Sequence, residues 1–389
     1  MGMRVLHWCP DFLHGGGVAN AVWGFAVAQS RLCSRVVIAA ATPTQRSMYE
    51  PPDEPSDVEI LTWRPWRTLR IGRHSVRLMP RCEAAKFGAV RPDVVHVHGE
   101  FNLSNLGVSR LFQCPIVISP HGACHPVVLA KSRRAAKRIY LAAESLLLRD
   151  HVRMFHALSP AEAQHLAALF PGAPTYCVPQ GPSVFVPDLS RRGDATQPAG
   201  ERQVSFLFVG RLDVFTKGLD ILLDAFDAAA RRLAGARMCL MLAGPDWKGG
   251  RTWLEKRAAQ LGVRERVKFT GTLTGGQIGA ALAAADIYVQ LSRHDGFPLS
   301  VAEALLASKP AVLSNAIGTI SYPEIAALPY IRIVPPSSEE AAAAMLEMVE
   351  RLPEVRRAAL CSQRLVSDFF SWERIARLHL NQYVQLRDA

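Results

Sequence analysis

The chain has 389 residues, of which 49% are apolar and 20% charged, and its formal net charge is +11. That length is more than one ordinary core accommodates, so two domains are expected. The composition suits a soluble globular protein and excludes a membrane-spanning one, since no run approaches the roughly 18–20 apolar residues of a span. The basic excess is larger in the first half, which points to an anionic partner there without choosing among phospholipid, nucleic acid and phosphorylated acceptor.

The first elements are a strand at 4–8, a loop DFLHGGG at 11–17, an apolar helix at 18–31 and a strand at 36–40. This rhythm predicts a parallel sheet of Rossmann type. Gly15, Gly16 and Gly17 do not form the GxGxxG fingerprint; a phosphate loop and a plain tight turn both explain them. Residues 63–86 interleave Arg64, Arg67, Arg70, Arg73, Arg77, Arg81 and Lys86 with Trp63, Trp66, Leu69 and Ile71. Such a mixture suits a membrane interface or an anionic acceptor, and equally a solvated surface.

Residues 94–98 (VVHVH) and 116–119 read as buried strands, the second delivering Pro120, His121 and Gly122 to its C-terminal end. In open α/β sheets that end faces the ligand crevice. His121 and His125 have the i,i+4 spacing of a helical metal pair, but Pro126 follows and no HExxH occurs, so a strand-end histidine at the crevice is the better reading. Residues 131–149 form an amphipathic helix. Its apolar residues are expected to pack on the domain, and its basic turn (Lys131, Arg133, Arg134, Lys137, Arg138) to lie on lipid headgroups or in solvent. A strand at 154–157, a helix at 160–169 and a strand at 176–179 complete a first domain, 1–188. The polar stretch 189–203, with Gly and Pro and no apolar period, is the expected linker.

The rhythm then restarts in a second domain, 204–370. Strands are expected at 204–209, 238–243, 267–270, 287–290 and 311–314, and helices at 219–233, 253–261, 277–285 and 338–351. A final amphipathic helix, 372–386, is expected to return toward the first domain. The fold class is therefore α/β, two Rossmann-like parallel-sheet domains facing a cleft. The eight cysteines are scattered, mostly in apolar runs and without CxxC, which reads as reduced core cysteine of a cytoplasmic protein. The N-terminus lacks the apolar stretch of a signal peptide.

Two segments carry the chemistry. In GRLDVFTKGLDILLDAF, Arg211 and Lys217 follow a strand end, a planar fork and a point charge suited to a diphosphate. In HDGFPLSVAE, Asp295 precedes Glu303, with Gly296 and Phe297 on a turn and Pro298 opening a helix. Amides of Leu299 and Ser300 at that helix start favour an anion between the two carboxylates. A nucleotide sugar has that pattern of charge and hydroxyls; a loop–helix junction with two solvated acids is the plain alternative.

Here the chain resembles the retaining glycosyltransferases of family 4, with the two-domain GT-B architecture, over nearly its whole length. The resemblance implies that Arg211 and Lys217, after Gly210, meet the donor phosphates, that Glu303 binds the ribose hydroxyls, and that Asp295 sits at the donor sugar with Gly296, Phe297 and the following amides near it and the phosphate. It implies that Gly16 and Gly17 approach the phosphate and acceptor, that His121 contacts the donor sugar, and that Gly271 and Thr272 pack the nucleobase. The chain departs from the family pattern at Asp295, where Glu is usual, and at Gln180-Gly181, where Asn-Gly is usual. No Asp-x-Asp triplet occurs, so no metal or other cofactor is expected, and charge neutralisation falls to Arg211, Lys217 and helix amides. The implied partners are a nucleotide-sugar donor, a saccharide or lipid-linked acceptor, and an anionic membrane surface at residues 63–86 and 131–138. Nucleic acid is not expected, for want of a binding motif. A nucleotide-sugar epimerase and a non-catalytic nucleotide-sugar-binding protein are the competing readings.

Overall fold

The structure is a computed structural model that describes residues 2–43, 57–65, 67–71, 74–78, 81–130, 133–148, 152–183, 203–233 and 238–388. The expected linker lies outside these residues except for Gln203, as do Trp66, Arg73, Lys131 and Arg149. The chain divides into two units, Met1–Val184 with Ser371–Ala389, and Phe185–Phe370.

Unit 1 contains β1 (Arg4–Trp8), α1 (Gly17–Ser30), β2 (Arg35–Ala41), β3 (Val58–Trp63), β4 (Arg67–Ile71), β5 (His74–Leu78), α2 (Arg81–Gly88) and β6 (Val94–His98). It continues through α3 (Val108–Leu111), β7 (Ile116–Ser119), α4 (Pro126–Ala130), α5 (Arg134–Leu147), β8 (Val152–Ala157), α6 (Pro160–Leu169) and β9 (Thr175–Cys177). Seven strands pair in parallel in the order β3-β2-β1-β6-β7-β8-β9. Parallel strands covered on both faces are apolar throughout, and β2 and β6 are buried along nearly their whole length. The basic segment holds an antiparallel hairpin, β4 against β5, which the interleaved Arg and Trp pattern did not disclose. Trp8 stacks on Trp63, ring centroids 4.6 Å apart, in the core on one face of the sheet.

Unit 2 follows with β10 (Val204–Val209), α7 (Leu219–Arg232), β11 (Met238–Ala243), α8 (Gly250–Gln260), β12 (Val267–Gly271), α9 (Gly275–Ala284) and β13 (Ile287–Gln290). Then come α10 (Leu299–Leu306), β14 (Ala311–Ser314), α11 (Pro323–Ala326), β15 (Ile331–Val334), α12 (Ser338–Glu350), α13 (Leu352–Cys361) and α14 (Gln363–Phe369). Its six parallel strands run in the order β12-β11-β10-β13-β14-β15. Strand order reverses between β10 and β13, the position where such sheets open a crevice beyond their C-terminal ends.

The last helix, α15 (Trp372–Asp388), packs in unit 1. Its Trp372 indole lies over Gly24 of α1 and Gly181, and a Cβ on either glycine would come within 2.1 and 2.5 Å of that ring. The indole nitrogen donates to the Pro182 carbonyl at 3.0 Å. The departure at Gln180-Gly181 thus sits at the docking point of α15, with Gln180 buried.

Three expectations need correction. Ile139 and Leu146 of α5 are 69% and 73% exposed, and the helix instead buries Tyr140 and Glu144. Its apolar residues therefore do not all pack on the domain. Cys177 and Cys361 are exposed rather than in the core. Pro298 is the N-cap of α10, with extended backbone (φ −70°, ψ 122°), and not its first helical residue. No helix is long and apolar enough to cross a membrane among the described residues.

Candidate functional site

Of the expected donor residues of unit 2, Gly210, Arg211 and Lys217 lie on the loop after β10, and Asp295, Gly296, Phe297 and Pro298 on the loop after β13. The loop after β10 folds on itself: Asp213 accepts from the Thr216 amide at 3.1 Å, and Lys217 N–H donates to the Asp213 carbonyl at 3.0 Å. Gly218 closes it at φ +63°, where a Cβ would lie 2.0 Å from the Leu291 carbonyl oxygen. Glycine is required there by both conformation and space. The loop after β13 is tied to it, since Arg293 N–H donates to the Thr216 carbonyl at 3.0 Å. The Arg293 guanidinium grips both oxygens of Asp220 at 2.8 and 2.7 Å.

This close approach brings Lys217 and Asp295 together: the Lys217 ammonium donates to Asp295 Oδ2. Both side chains are largely buried, at 16% and 14% exposure, where a salt bridge is screened less than at the surface. The Asp295 backbone is also fixed, its N–H donating to the Ala316 carbonyl and its carbonyl accepting from Gly318.

A polar ladder supports the pair. Alternation along β13 places Tyr288 and Gln290 on one face. Gln290 Nε2 donates to Asp295 Oδ2 at 2.9 Å, and Tyr288 donates to Gln290 Oε1 at 2.7 Å. The Tyr288 hydroxyl is also 2.9 Å from Ser300 Oγ in the first turn of α10. Burial pushes the Tyr288 phenol upward, so it remains a neutral donor. Tyr288 and Gln290 were not singled out in the sequence. Two polar residues at i,i+2 in an otherwise apolar buried strand were the available signal.

The remaining expected residues of unit 2 lie on α10, on the loop after β10 and at the end of β12. Glu303 is buried inside α10. Phe297 is a core residue, its ring 6.3 Å from Phe370 and 6.4 Å from Tyr322, so what it offers a ligand is its backbone. The guanidinium of Arg211 stacks on the Trp247 indole, 4.5 Å from its centroid, a cation–π contact that holds an exposed arginine beside the strand ends. Gly271 has φ +74° and open space where a Cβ would be. Thr272 is exposed beside it.

In unit 1, Gly16 is the N-cap of α1, with φ +93°, and no atom lies within 4 Å of a Cβ built on Gly16 or Gly17. His121 follows β7 in the left-handed region, φ +54°, a conformation that costs a non-glycine residue of order 1 kcal/mol and concentrates at functional sites. The next N–H, of Gly122, donates to buried Glu162 at 2.5 Å. His121 Nε2 lies 3.0 Å from His98 Nδ1. His125 lies ahead of α4 rather than one turn along a helix from His121, so the i,i+4 metal pairing has no helix to stand on.

Ligating nitrogens of His7, His96 and His98 lie within 4.8 Å of one another in the core of unit 1, a set with the donor chemistry of a metal site. Each of their ring nitrogens is already hydrogen-bonded, to Gln29, Ser119, Tyr383, His121 or one another. Three neutral ligands with no carboxylate among them also offer a dication no charge compensation.

Comparison with known proteins places these loops in a family. Residues 15–182 match the model described as Glycosyltransferase Family 4, and residues 194–359 the model described as Glycosyl transferases group 1. The chain is 26% identical over 334 residues to a glycogen synthase of Mycobacterium tuberculosis, covering 84% of this chain and 76% of that one. Sucrose-phosphate synthase from Thermosynechococcus elongatus has the same fold, with a TM-score of 0.74 at 19% identity over 99% of both chains. So does Anabaena HepE, solved with UDP-glucose, with a TM-score of 0.72 at 18% identity over 99% of this chain and 100% of that one. With both halves matched in order and two parallel-sheet units in place, the chain belongs to the group 1 glycosyltransferases, enzymes of the family 4 type with GT-B architecture.

Proposed function

We propose that this glycosyltransferase moves a sugar from a nucleotide-diphosphate donor to an acceptor hydroxyl with retention of anomeric configuration and without a metal. The observation that carries the reading is the Lys217–Asp295 pair, set where the loops after β10 and β13 meet. It puts a phosphate-binding cation against a hydroxyl-binding carboxylate, which is the juxtaposition found at a sugar–diphosphate bond. Both hydrogen bonds to the Asp295 carboxylate described above fall on Oδ2, so Oδ1 is available to a sugar hydroxyl. Glu303 takes the ribose hydroxyls, and the amides at the start of α10 face the phosphate.

In this mechanism the bond from the anomeric carbon to the phosphate oxygen breaks as the acceptor oxygen bonds to that carbon. The acceptor proton passes to the departing diphosphate. Lys217, Arg211 and the α10 amides stabilise the charge that grows on it. The HepE relative solved with UDP-glucose makes a uridine donor the first to test.

The acceptor is assigned to unit 1 and to the saccharide or lipid-linked class. Support comes from α5, where exposed Ile139, Leu146 and Leu147 accompany Arg133, Arg134, Lys137 and Arg138. A basic turn with a solvent-facing apolar surface suits an anionic bilayer. The protein would then work at the inner membrane face, and binding to anionic liposomes that persists unchanged in Ile139→Glu/Leu146→Glu would defeat this part.

The reading is tested by screening nucleotide sugars for protection against heat, then incubating the best donor with saccharide and polyprenyl-linked acceptors in EDTA. Transfer with the donor's anomeric configuration kept is expected. An inverted product, transfer abolished by EDTA, or an epimerised donor without transfer would overturn it.

A further inference from the structure

Unit 1 buries two runs of side chains, each with a proton order that can be read from an oxygen acceptor at one end. Burial lowers its histidines, His7 and His156 to about 4 and His121 to about 3, with His96 and His98 also well below the usual value. Each ring is therefore neutral near pH 7 and carries one proton.

His156 Nε2 faces the Val178 carbonyl oxygen at 2.8 Å. A carbonyl only accepts, so His156 holds its proton on Nε2 and accepts at Nδ1. Ser119 must then donate to His156 Nδ1, at 2.5 Å, and accept from His96 Nε2, at 2.6 Å. His96 Nδ1 is left to accept from the Tyr383 hydroxyl, at 2.5 Å. A second run starts at Gln29, whose Nε2 is buried with no hydrogen-bond partner among the described residues. Gln29 Oε1 faces His7, whose Nε2 lies 2.9 Å away, and an amide oxygen only accepts. His7 Nε2 donates, so His7 Nδ1 accepts from His98 Nε2 at 2.9 Å, and His98 Nδ1 accepts from His121 Nε2 at 3.0 Å. Reversing the first run, from His156 to Tyr383, would set a lone pair of His156 against the lone pairs of the Val178 carbonyl, and reversing the second would set a lone pair of His7 against those of Gln29 Oε1, each an uncompensated buried clash.

We infer that Gln29, acting through His7 and His98, locks His121 as its Nε2–H tautomer and so presents an unprotonated Nδ1 as hydrogen-bond acceptor to a hydroxyl of a sugar ring. This rests on the reading that puts His121 at the donor sugar. Gln29, His7 and His98 are positioning residues. Their readout is which nitrogen of His121 bears the proton.

The test is long-range ¹H–¹⁵N correlation on the full-length protein with ¹⁵N-labelled histidine, the His121 ring being identified by its loss in His121→Asn. Nε2 of His121 is expected in the protonated range and Nδ1 in the unprotonated range; the opposite assignment in the wild-type protein overturns the proposal. Gln29→Leu is expected to give mixed tautomers at His121 and to lower kcat at least about tenfold, as wrong-tautomer variants of other enzymes do. Gln29→Glu, buried as a neutral acid with one donor and one acceptor, should restore both. A single unchanged tautomer and wild-type kcat in Gln29→Leu would sink the relay, and if that variant does not fold, the wild-type spectrum and Gln29→Glu decide. Should His121→Ala turn over at the wild-type rate, the donor-sugar reading of His121 fails, while the spectrum still judges the relay by itself.

Discussion

Lys217 and Asp295 are far apart in sequence and depend on each other in the fold. Removing the ammonium leaves a mostly buried carboxylate without its counter-charge and, in the proposed mechanism, the leaving phosphate without its point charge. Lys217→Ala is expected to lower kcat by about 10²–10³, and Arg211→Ala by a similar amount, measured in single-turnover transfer so that binding and chemistry separate. Wild-type turnover in either variant would remove the phosphate role. Glu303→Ala belongs to another step: nucleotide affinity should weaken in calorimetry while the melting temperature holds, and unchanged affinity would count against the ribose assignment. Both acids were legible at this scale, because the run DGFPLSVAE carries its own turn, cap and spacing. The ladder behind Asp295, formed by Gln290 and Tyr288, was not, because its role depends on which side of β13 faces Asp295, and a short strand does not declare that.

At the scale of elements, the strands and the long helices follow apolar periodicity, and most boundaries agree with it to within a few residues. The hairpin β4–β5 and the edge strands β3 and β15 escaped, since short or basic strands have little periodic signal. Two glycines join elements whose meeting no local pattern announces. Gly218→Ala would drive a Cβ into the Leu291 carbonyl and force a left-handed residue. It should cost of order 1–3 kcal/mol and lower transfer along with stability, by spreading the two loops. Gly24→Ala would strike the Trp372 indole. A comparable loss of stability is expected with little change in donor affinity for the folded fraction. Chemical denaturation of both variants checks this; a wild-type midpoint for Gly24→Ala would mean that α15 is not seated on α1 as described.

At the scale of the whole molecule, the buried ionisable groups set a dependence on acid. His7, His96, His98, His121, His156 and His379 all have pKa values lowered by burial. The unfolded chain protonates such histidines near 6.5, so it binds more protons than the native state below that pH, and stability falls as pH falls. The loss begins near pH 6.5 and is complete for His7 and His156 near their folded values of about 4. One such histidine accounts for about 3 kcal/mol over that window. Buried Glu100, Glu144 and Glu162 are raised and act in the opposite sense, favouring the native state at low pH. The histidines outnumber them. The melting temperature of unit 1 should therefore rise between about pH 4 and pH 7, and a flat or falling profile by calorimetry would show that these histidines are not buried neutral.

The two repeated β–α rhythms, the loop–helix run with its paired acids, and the family could all be read from the residues alone, because each rests on neighbours a few residues apart. It took the folded chain to set Lys217 against Asp295, to make Trp372 the reason for glycine at 24 and 181, and to draw six of the histidines into a shared buried network. Those facts come from strands far apart in the chain lying side by side in a sheet. That adjacency is fixed by the burial of whole faces rather than by any local run of residues.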